Sequence, residues 1–517
     1  QPGNKILKPT RDLMNDFLRV LIDMECNGNY IDLQELDLVE KELNQEYYQL
    51  KNKINKIIQQ VMGDTKINLS STEDLSKVIY SRKVQDKNTW SNLFNVGIDK
   101  RTGKPKKRPD MTEREVEQLT LKHTDQVYKT IAQQCDMCSG VGYIRKIKQD
   151  GTPFKSTNKC PKCKSEGMLF IETEAKAGFN WKTRQVYDVS QGGFKTDKET
   201  LNRISKLAEG SLKEFVDSII RYSAIETYLN TFITGIKDNV RENKVLHPSF
   251  NQHTTVTGRL SSSKPNFQNM PRGDKFPVKR VIKSRFESGE IIEVDFAQLE
   301  FRTAVFLAQD IQGMEDIKNG VDVHQYTADV IGCSRQDAKA HTFKPLYGGM
   351  MGKKKEREYY DKFLKKYKDI AKWHMDLQER AYKTNIVRLP SGREYFFPNV
   401  YKRMNKRTGF ITYSNSTNIK NYPVQGFATA DIVPLACINV WELLKERELK
   451  SIIINTVHDS VVLDVHPDEV DDVVSIIKTG FINVKDSLLT RYNCELNVPL
   501  DFEIKKGNNW LDLSTVI

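Results

Sequence analysis

Long apolar runs are missing from this 517-residue sequence. None reaches the roughly 18 apolar residues that read as a membrane span, so no membrane partner is expected. Cysteine is sparse. Of eight, Cys26, Cys333, Cys437 and Cys494 lie scattered, which excludes a secreted disulfide framework and points to a reducing, cytoplasmic setting. No signal-peptide pattern is present, and the sequence opens on Gln1, so a start further upstream is expected. Acidic excess is also lacking. With 80 Lys and Arg against 68 Asp and Glu, the net charge is +12 and the pI near 9.0, a balance that favours a polyanionic partner. No low-complexity tail interrupts a composition of 38% hydrophobic and 29% charged residues, that of a globular chain of several domains.

The other four cysteines form two CxxC pairs, Cys135 with Cys138 and Cys160 with Cys163, separated by 21 residues. Two such pairs at this spacing predict a structural Zn2+ held by four thiolates. A redox dithiol pair is the alternative. "CDMCSGVGY" and "CPKCKSEGM" also resemble the knuckles of DnaJ-type zinc modules, from which only the ribbon geometry is carried over. Between the pairs lie Tyr143, Arg145, Lys146, Lys148, Phe154, Lys155 and Lys159, a basic and aromatic mixture that suits a nucleic-acid backbone or a solvated knuckle surface.

Leu36, Val39, Leu43, Tyr47, Leu50, Ile54, Ile57 and Val61 recur at helical spacing and predict one long helix over 31–61. Ser70 with Glu73 and Thr196 with Glu199 read as capping signals for two more helices. The basic run "DKRTGKPKKRPD" reads as a loop, and residues 84–191 read as an insertion between helices. Further on, "EIIEVD" (290–295) predicts a strand. "SIIINTVHDSVVLDV" (451–465) predicts a hairpin with His458 and Asp459 at its bend. Residues 310–385 read as mainly helical.

In "RQDAKAHTFKPLYGG", Arg335, Lys339, Phe343 and Tyr347 stand four residues apart, which keeps them on one face of a helix. Two cations followed by two aromatics fit either a basic amphipathic helix or a surface that grips a nucleotide. Pro345 removes an N–H and crowds the carbonyl of His341, so the helix should kink or stop there. Asp295 at a strand end and Asp459 at a hairpin bend could share Mg2+ ions if their strands are neighbours.

Taken together, "TVTGRLSSSKPNFQNMP" (255–271), "VDFAQLEFR" (294–302), "DVHQYTA" (322–328), "RQDAKAHTFKPLYGG" (335–349), "NYPVQGFATADI" (421–432) and "VHDS" (457–460) resemble, in content and order, the motifs of family A DNA polymerases. "NGNYIDLQEL" and "NLSSTEDL" resemble the start of that family's thumb. The resemblance implies an α+β right-hand fold of thumb, palm and fingers, with a zinc-ribbon insertion and no exonuclease domain in this chain. The expected map is thumb at 1–83 and 192–244, insertion at 84–191, palm at 245–309 and 411–517, and fingers at 310–410.

The same resemblance implies a role for each matching residue. Asp295, Asp459 and the carbonyl of Phe296 would hold two Mg2+ ions. Arg335 and Lys339 would grip the triphosphate, with Lys339 as general acid for pyrophosphate and His324 as a further phosphate contact. Phe343, Gln298 and Tyr347 would face the incoming dNTP and template base. Glu300 would exclude a 2′-hydroxyl. Arg259, Asn421, Gln425 and His458 would line the primer–template minor groove.

The sequence departs from the family pattern at Ser460, where a third carboxylate is usual, and at Ala297, Thr417 and the "KP" after Phe343. Expected partners are primer–template DNA and dNTPs, with a processivity or replication protein at the insertion. The chain is expected to be a monomer acting in phage DNA replication in the host cytoplasm. A single-subunit RNA polymerase, against which Glu300 argues, and a non-catalytic DNA-binding protein with a decayed polymerase fold are the alternatives.

Overall fold

The computed structural model describes residues 8–99, 105–148, 151–153, 155–271, 273, 276–349, 354–404, 409 and 411–516. Phe154 and part of the basic run at 99–110 lie outside them. The chain forms two compact units, residues 1–39 with 230–517, and residues 40–229.

The first unit is built on a five-stranded sheet in the order Ile452–Val457, Ser460–Val465, Glu290–Phe296, Phe502–Gly507, Ser514–Thr515. All its pairings are antiparallel. The β-branched runs form these strands because both faces are covered, and every residue of Ser460–Val465 is buried. Helices Lys8–Asn27, Val433–Glu446 and Val470–Ile482 contribute Leu13, Phe17, Ile438, Ile476 and Phe481 to one core with Ile292, Val294, Val461 and Leu463. The bend at 458–459 is a two-residue hairpin loop in which His458 takes a left-handed φ of 57°. Positive φ at the first loop position matches the strand twist.

Residues 310–385 are helical as expected: Ile311–Lys318, Val323–Ile331, Arg335–Leu346, Lys354–Lys366 and Lys368–Thr384. Helix Arg335–Leu346 carries Pro345 in its last turn and stops one residue later, with Tyr347 as C-cap and Gly348 at φ 73°. The expectation that no stretch could cross a membrane needs correction at 416–446. This continuous helix is long and apolar enough, yet 78% of its most apolar stretch is buried, as in a core helix.

In the second unit, helices Thr72–Tyr80, Lys198–Leu207 and Gly210–Tyr228 share a core with the end of the long helix Leu33–Met62. Two caps fall one residue later than the sequence signals. Ser71 accepts from Asp74 N at 3.2 Å, whereas the backbone N–H of Ser70 is bonded back to Asn68. Asp197 accepts from Thr200 N at 2.9 Å, whereas the Thr196 hydroxyl turns away to Thr72 O.

The boundaries also shift. Lys8–Asn27, expected in the thumb, packs in the core of the sheet unit. Residues 84–191 are not a body apart: Trp90, Phe94, Val116, Val186 and Val189 share one core with Ile54, Ile79 and Phe215. The ribbon Tyr128–Gln134 with Met168–Lys176 ends in two knuckles that centre on the four cysteines.

Candidate active site

The sheet brings the two predicted aspartates together. Asp295 stands opposite Ser460 in the ladder, one residue from Asp459, and Phe296 N donates to the Asp459 carbonyl at 3.3 Å. Two carboxylates and a backbone carbonyl make an all-oxygen donor set, which suits a hard cation such as Mg2+. Gln298 follows in the left-handed conformation, φ 53°, and turns the chain from the strand into helix Leu299–Ala308.

Glu300, in the first turn of that helix, is held at both carboxylate oxygens, by the Arg259 guanidinium at one and the Tyr347 hydroxyl at the other. Burial raises its pKa above the usual carboxylate range, the Asp459 charge adds to this, and Arg259 and Tyr347 oppose it. Burial and the Glu300 charge likewise push the Tyr347 hydroxyl far up, and the Gln425 side chain bonds to it. Arg259 is steadied in turn by Thr429 Oγ1 at 3.3 Å. Three segments distant in sequence thus converge on one fixed carboxylate beside the aspartates.

Of the row of four, Arg335, Lys339 and Phe343 lie on helix Arg335–Leu346 and Tyr347 is its C-cap. Phe343 and Tyr347 stack, with ring centroids 6.1 Å apart and planes 13° apart. Arg335 Nε donates to Asp322 at 2.7 Å. Asp322 also caps helix Val323–Ile331. Burial works against its ionisation, but Arg335 and the cap N–H groups hold its pKa below the usual range. Lys339 is half-buried and has no carboxylate partner among the described residues, which leaves its ammonium available to an anion. His324 meets the Phe343 ring edge-on at 5.5 Å, and burial lowers its pKa, opposed by the Asp322 charge and aided by Lys339 and Arg335.

Asn421 and Gln425 lie one turn apart on helix Ser416–Gln425. Asn421 Oδ1 is shielded from solvent and has no hydrogen-bond partner among the described residues. His458 lines a cavity of about 220 Å³ together with Arg259, Gln268 and Thr429.

Several supporting residues were not read from the sequence. Gln268 donates to Thr456 O at 2.5 Å and accepts from His458 N at 3.3 Å, fixing the hairpin loop. Buried Thr342 meets His324 Nδ1 at 3.1 Å. His374, with a pKa lowered to about 3 by burial, is neutral and meets Leu346 O at 3.0 Å, tying down the end of the helix that bears the row. Glu293, two residues before Asp295 on the same strand face, accepts from Ser460 Oγ at 3.2 Å. A carboxylate therefore stands next to the position where Ser460 supplies none. Gln268 and Thr342 lie inside motifs named above and Glu293 interrupts an apolar strand, so these three left a trace in the sequence; His374 left none.

The four cysteines belong to the other unit. Their sulfurs lie within 4.8 Å of one another, with Cys135–Cys160 at 3.8 Å and Cys138–Cys163 at 3.6 Å. A tetrahedron with 2.3 Å metal–sulfur bonds has edges of about 3.8 Å, so the cluster fits Zn2+. The N–H groups of Gly142 and Gly167 point at Cys138 Sγ and Cys163 Sγ, at 3.2 and 3.3 Å. Both glycines have positive φ, and a Cβ on either would strike the backbone of the opposite knuckle, at Ser165 O or Gly140 O.

Residues 168–512 match the model of DNA polymerase family A. The chain is 30% identical over 342 residues to DNA polymerase I of Caldicellulosiruptor bescii, covering 62% of this chain and 38% of that protein. It is 28% identical over 367 residues to DNA polymerase I of Lactococcus lactis subsp. cremoris, covering 67% and 38%. To the DNA polymerase of Bacillus phage SP01 it is 27% identical over 340 residues, covering 59% and 36%. The chain thus spans little more than a third of the length of these relatives. Among solved structures, the POL domain of Pol1 from M. smegmatis, in complex with DNA primer-template and dNTP, superposes with a TM-score of 0.64. That match covers 96% of this chain and 70% of the other at 18% identity, a likeness of fold.

Proposed function

The chain belongs to DNA polymerase family A, and on that premise we propose that it extends a DNA primer along a template, with dNTPs as substrates and pyrophosphate as leaving group. The observation that carries this reading is the convergence of Asp295, Asp459 and the doubly held Glu300 below the row Arg335, Lys339, Phe343 and Tyr347.

Asp295, Asp459 and the Phe296 carbonyl would hold two Mg2+ ions, which would activate the primer 3′-hydroxyl and neutralise phosphate charge. The rest is the work of this chain's side chains. Arg335 and Lys339 bind the triphosphate. Lys339 places a proton donor beside the departing pyrophosphate, where charge accumulates. Phe343 supplies a flat face for the nucleotide's sugar and base, and His324 adds a phosphate contact. Arg259, Asn421, Gln425 and His458 meet minor-groove acceptors, which occupy similar places in every correct base pair, so they report shape without reading sequence.

Glu300 forms the wall against a 2′-hydroxyl, since a carboxylate held at both oxygens cannot swing aside. Primer extension with dNTPs and rNTPs in parallel tests this. Wild type should extend with dNTPs only. Glu300→Ala should lower discrimination against rNTPs by roughly 100-fold, the scale on which small steric differences are read. Efficient extension by wild type with rNTPs would move the assignment to an RNA polymerase.

Structural Zn2+ at the four cysteines is the second part of the proposal, supported by the sulfur spacing. Purified chain should carry about one zinc, and its removal should unfold the knuckles, because two-stranded ribbons of this size are marginal without a staple. Zinc content by metal analysis and hydrogen exchange over 135–167 read both effects, and protection unchanged after chelation would contradict the assignment. A cellular role in phage genome replication, in the host cytoplasm, is proposed on the layout of the chain and on its likeness to the phage SP01 polymerase.

A further inference from the structure

The family match begins at residue 168, so most of the cysteine-centred arm falls outside it. The arm is a β-ribbon, Tyr128–Gln134 against Met168–Lys176, about 20 Å long at 3.4 Å per residue, with its first strand held by Asp64 Oδ2, which accepts from Ala132 N at 2.8 Å. At its end sit the two knuckles and the short hairpin Tyr143–Ile144 with Asn158–Lys159.

Charge is segregated along this arm. The tip, residues 143–164, carries Arg145, Lys146, Lys148, Lys155, Lys159, Lys162 and Lys164 against Asp150 alone, half of the chain's net +12. The ribbon strands are neutral, with Lys129 and Lys176 balancing Glu172 and Glu174. At the tip, Lys162 is paired, with Asp136 at 2.6 Å. Arg145, Lys146, Lys155, Lys159 and Lys164 are all exposed, and none has a carboxylate partner among the described residues. Tyr143, 45% exposed, lies opposite Lys159 in the ladder, so an aromatic ring and a cation share one face of the hairpin.

Exposed cations of one sign held close together on a fixed scaffold raise the local potential, which draws in an anion. The knuckles supply the rigidity, since their glycines allow the two turns to close on each other and on the sulfurs. Five exposed cations spread from Arg145 to Lys164 suit an extended anion rather than a small one. The aromatic beside them suits a sugar or base.

We infer that the tip of the arm is a second DNA-binding element, which holds the sugar–phosphate backbone outside the active site and without regard to sequence. The choice of DNA among extended anions rests on the polymerase reading; the charge and geometry of the tip do not. Deleting 84–191 would remove core residues such as Trp90 and Phe94, so the test uses substitutions away from the cysteine turns.

The full chain and Arg145→Gln/Lys146→Gln/Lys155→Gln would be titrated with a fluorescent primer–template carrying about 25 base pairs of duplex, from about 50 to about 200 mM KCl, by anisotropy. Zinc content must be equal in both proteins. Losing three phosphate contacts should flatten the slope of log affinity against log salt by about 2.7 and weaken binding at least tenfold at the lower salt. The single-turnover rate of nucleotide addition on saturating DNA should not change. Coincident slopes and affinities in the two proteins would overturn the inference, and would leave the tip as a solvated surface or a protein contact. A wild type that binds DNA through the tip but does not extend primers would refute the polymerase reading and leave this one standing.

Discussion

Asp459→Asn should lower the rate of nucleotide addition by on the order of 10³- to 10⁴-fold, or about 4–5.5 kcal/mol of barrier, while primer–template affinity stays within about threefold. The substitution is nearly isosteric, and Gln268 still pins the hairpin loop from the other side through Thr456 O and His458 N. What is lost is one negative charge from an oxygen donor set, and with it affinity for a divalent cation. A quench-flow measurement at saturating DNA separates rate from binding. Part of the loss should be recovered at high Mg2+ or with Mn2+, which a merely structural role for Asp459 would not allow. Because the Asp459 charge also raises the pKa of Glu300, the variant's carboxyl at 300 should ionise at lower pH than in wild type, a difference readable by NMR of labelled glutamate.

The second large effect is expected at Lys339. Lys339→Ala should slow incorporation by roughly 10²- to 10⁴-fold, the range found when a positioned proton donor is removed, and should also weaken dNTP binding. Arg335→Ala should act mainly on binding, because its guanidinium is already shared with Asp322 and lies one turn further along the helix. The contrast is the useful part. A loss in maximal rate at Lys339 beside a loss in apparent dNTP affinity at Arg335, both read from single-turnover rates over a dNTP series, would separate proton donation from charge-based grip. Equal effects on affinity alone at both positions would make Lys339 a second binding cation only.

Much of this was legible in the residue pattern, for reasons that differ by element. The strand at Glu290–Phe296 and the hairpin at 452–465 could be read because β-branched residues buried on both sides leave a dense local signature. The row Arg335, Lys339, Phe343, Tyr347 is a consequence of helical period alone. The cluster of four cysteines was signalled by the spacing within each CxxC turn.

What could not be read depends on contacts between distant segments. Gln268 meets Thr456 across 188 residues, and Glu300 is fixed by Arg259 and Tyr347, 41 and 47 residues away. The cap expected at Thr196 failed for the same reason, since its hydroxyl turns to Thr72 O, 124 residues away, whereas the shift from Ser70 to Ser71 is local, the Ser70 N–H being bonded to Asn68 Oδ1. The boundaries of the expected insertion failed because a change in composition marks where loops begin, whereas a core is shared by whatever apolar residues reach it. Trp90 and Val189 reach the same core as Phe215.

Incorporation of single nucleotides tests the central claim most directly. Four primer–templates that differ only in the templating base would each be offered each dNTP alone with Mg2+, beside Asp295→Ala as control. The account predicts addition of the complementary nucleotide on each template and no detectable addition by the variant. Addition without regard to the templating base, or none at all by wild-type protein that binds the primer–template, would contradict it.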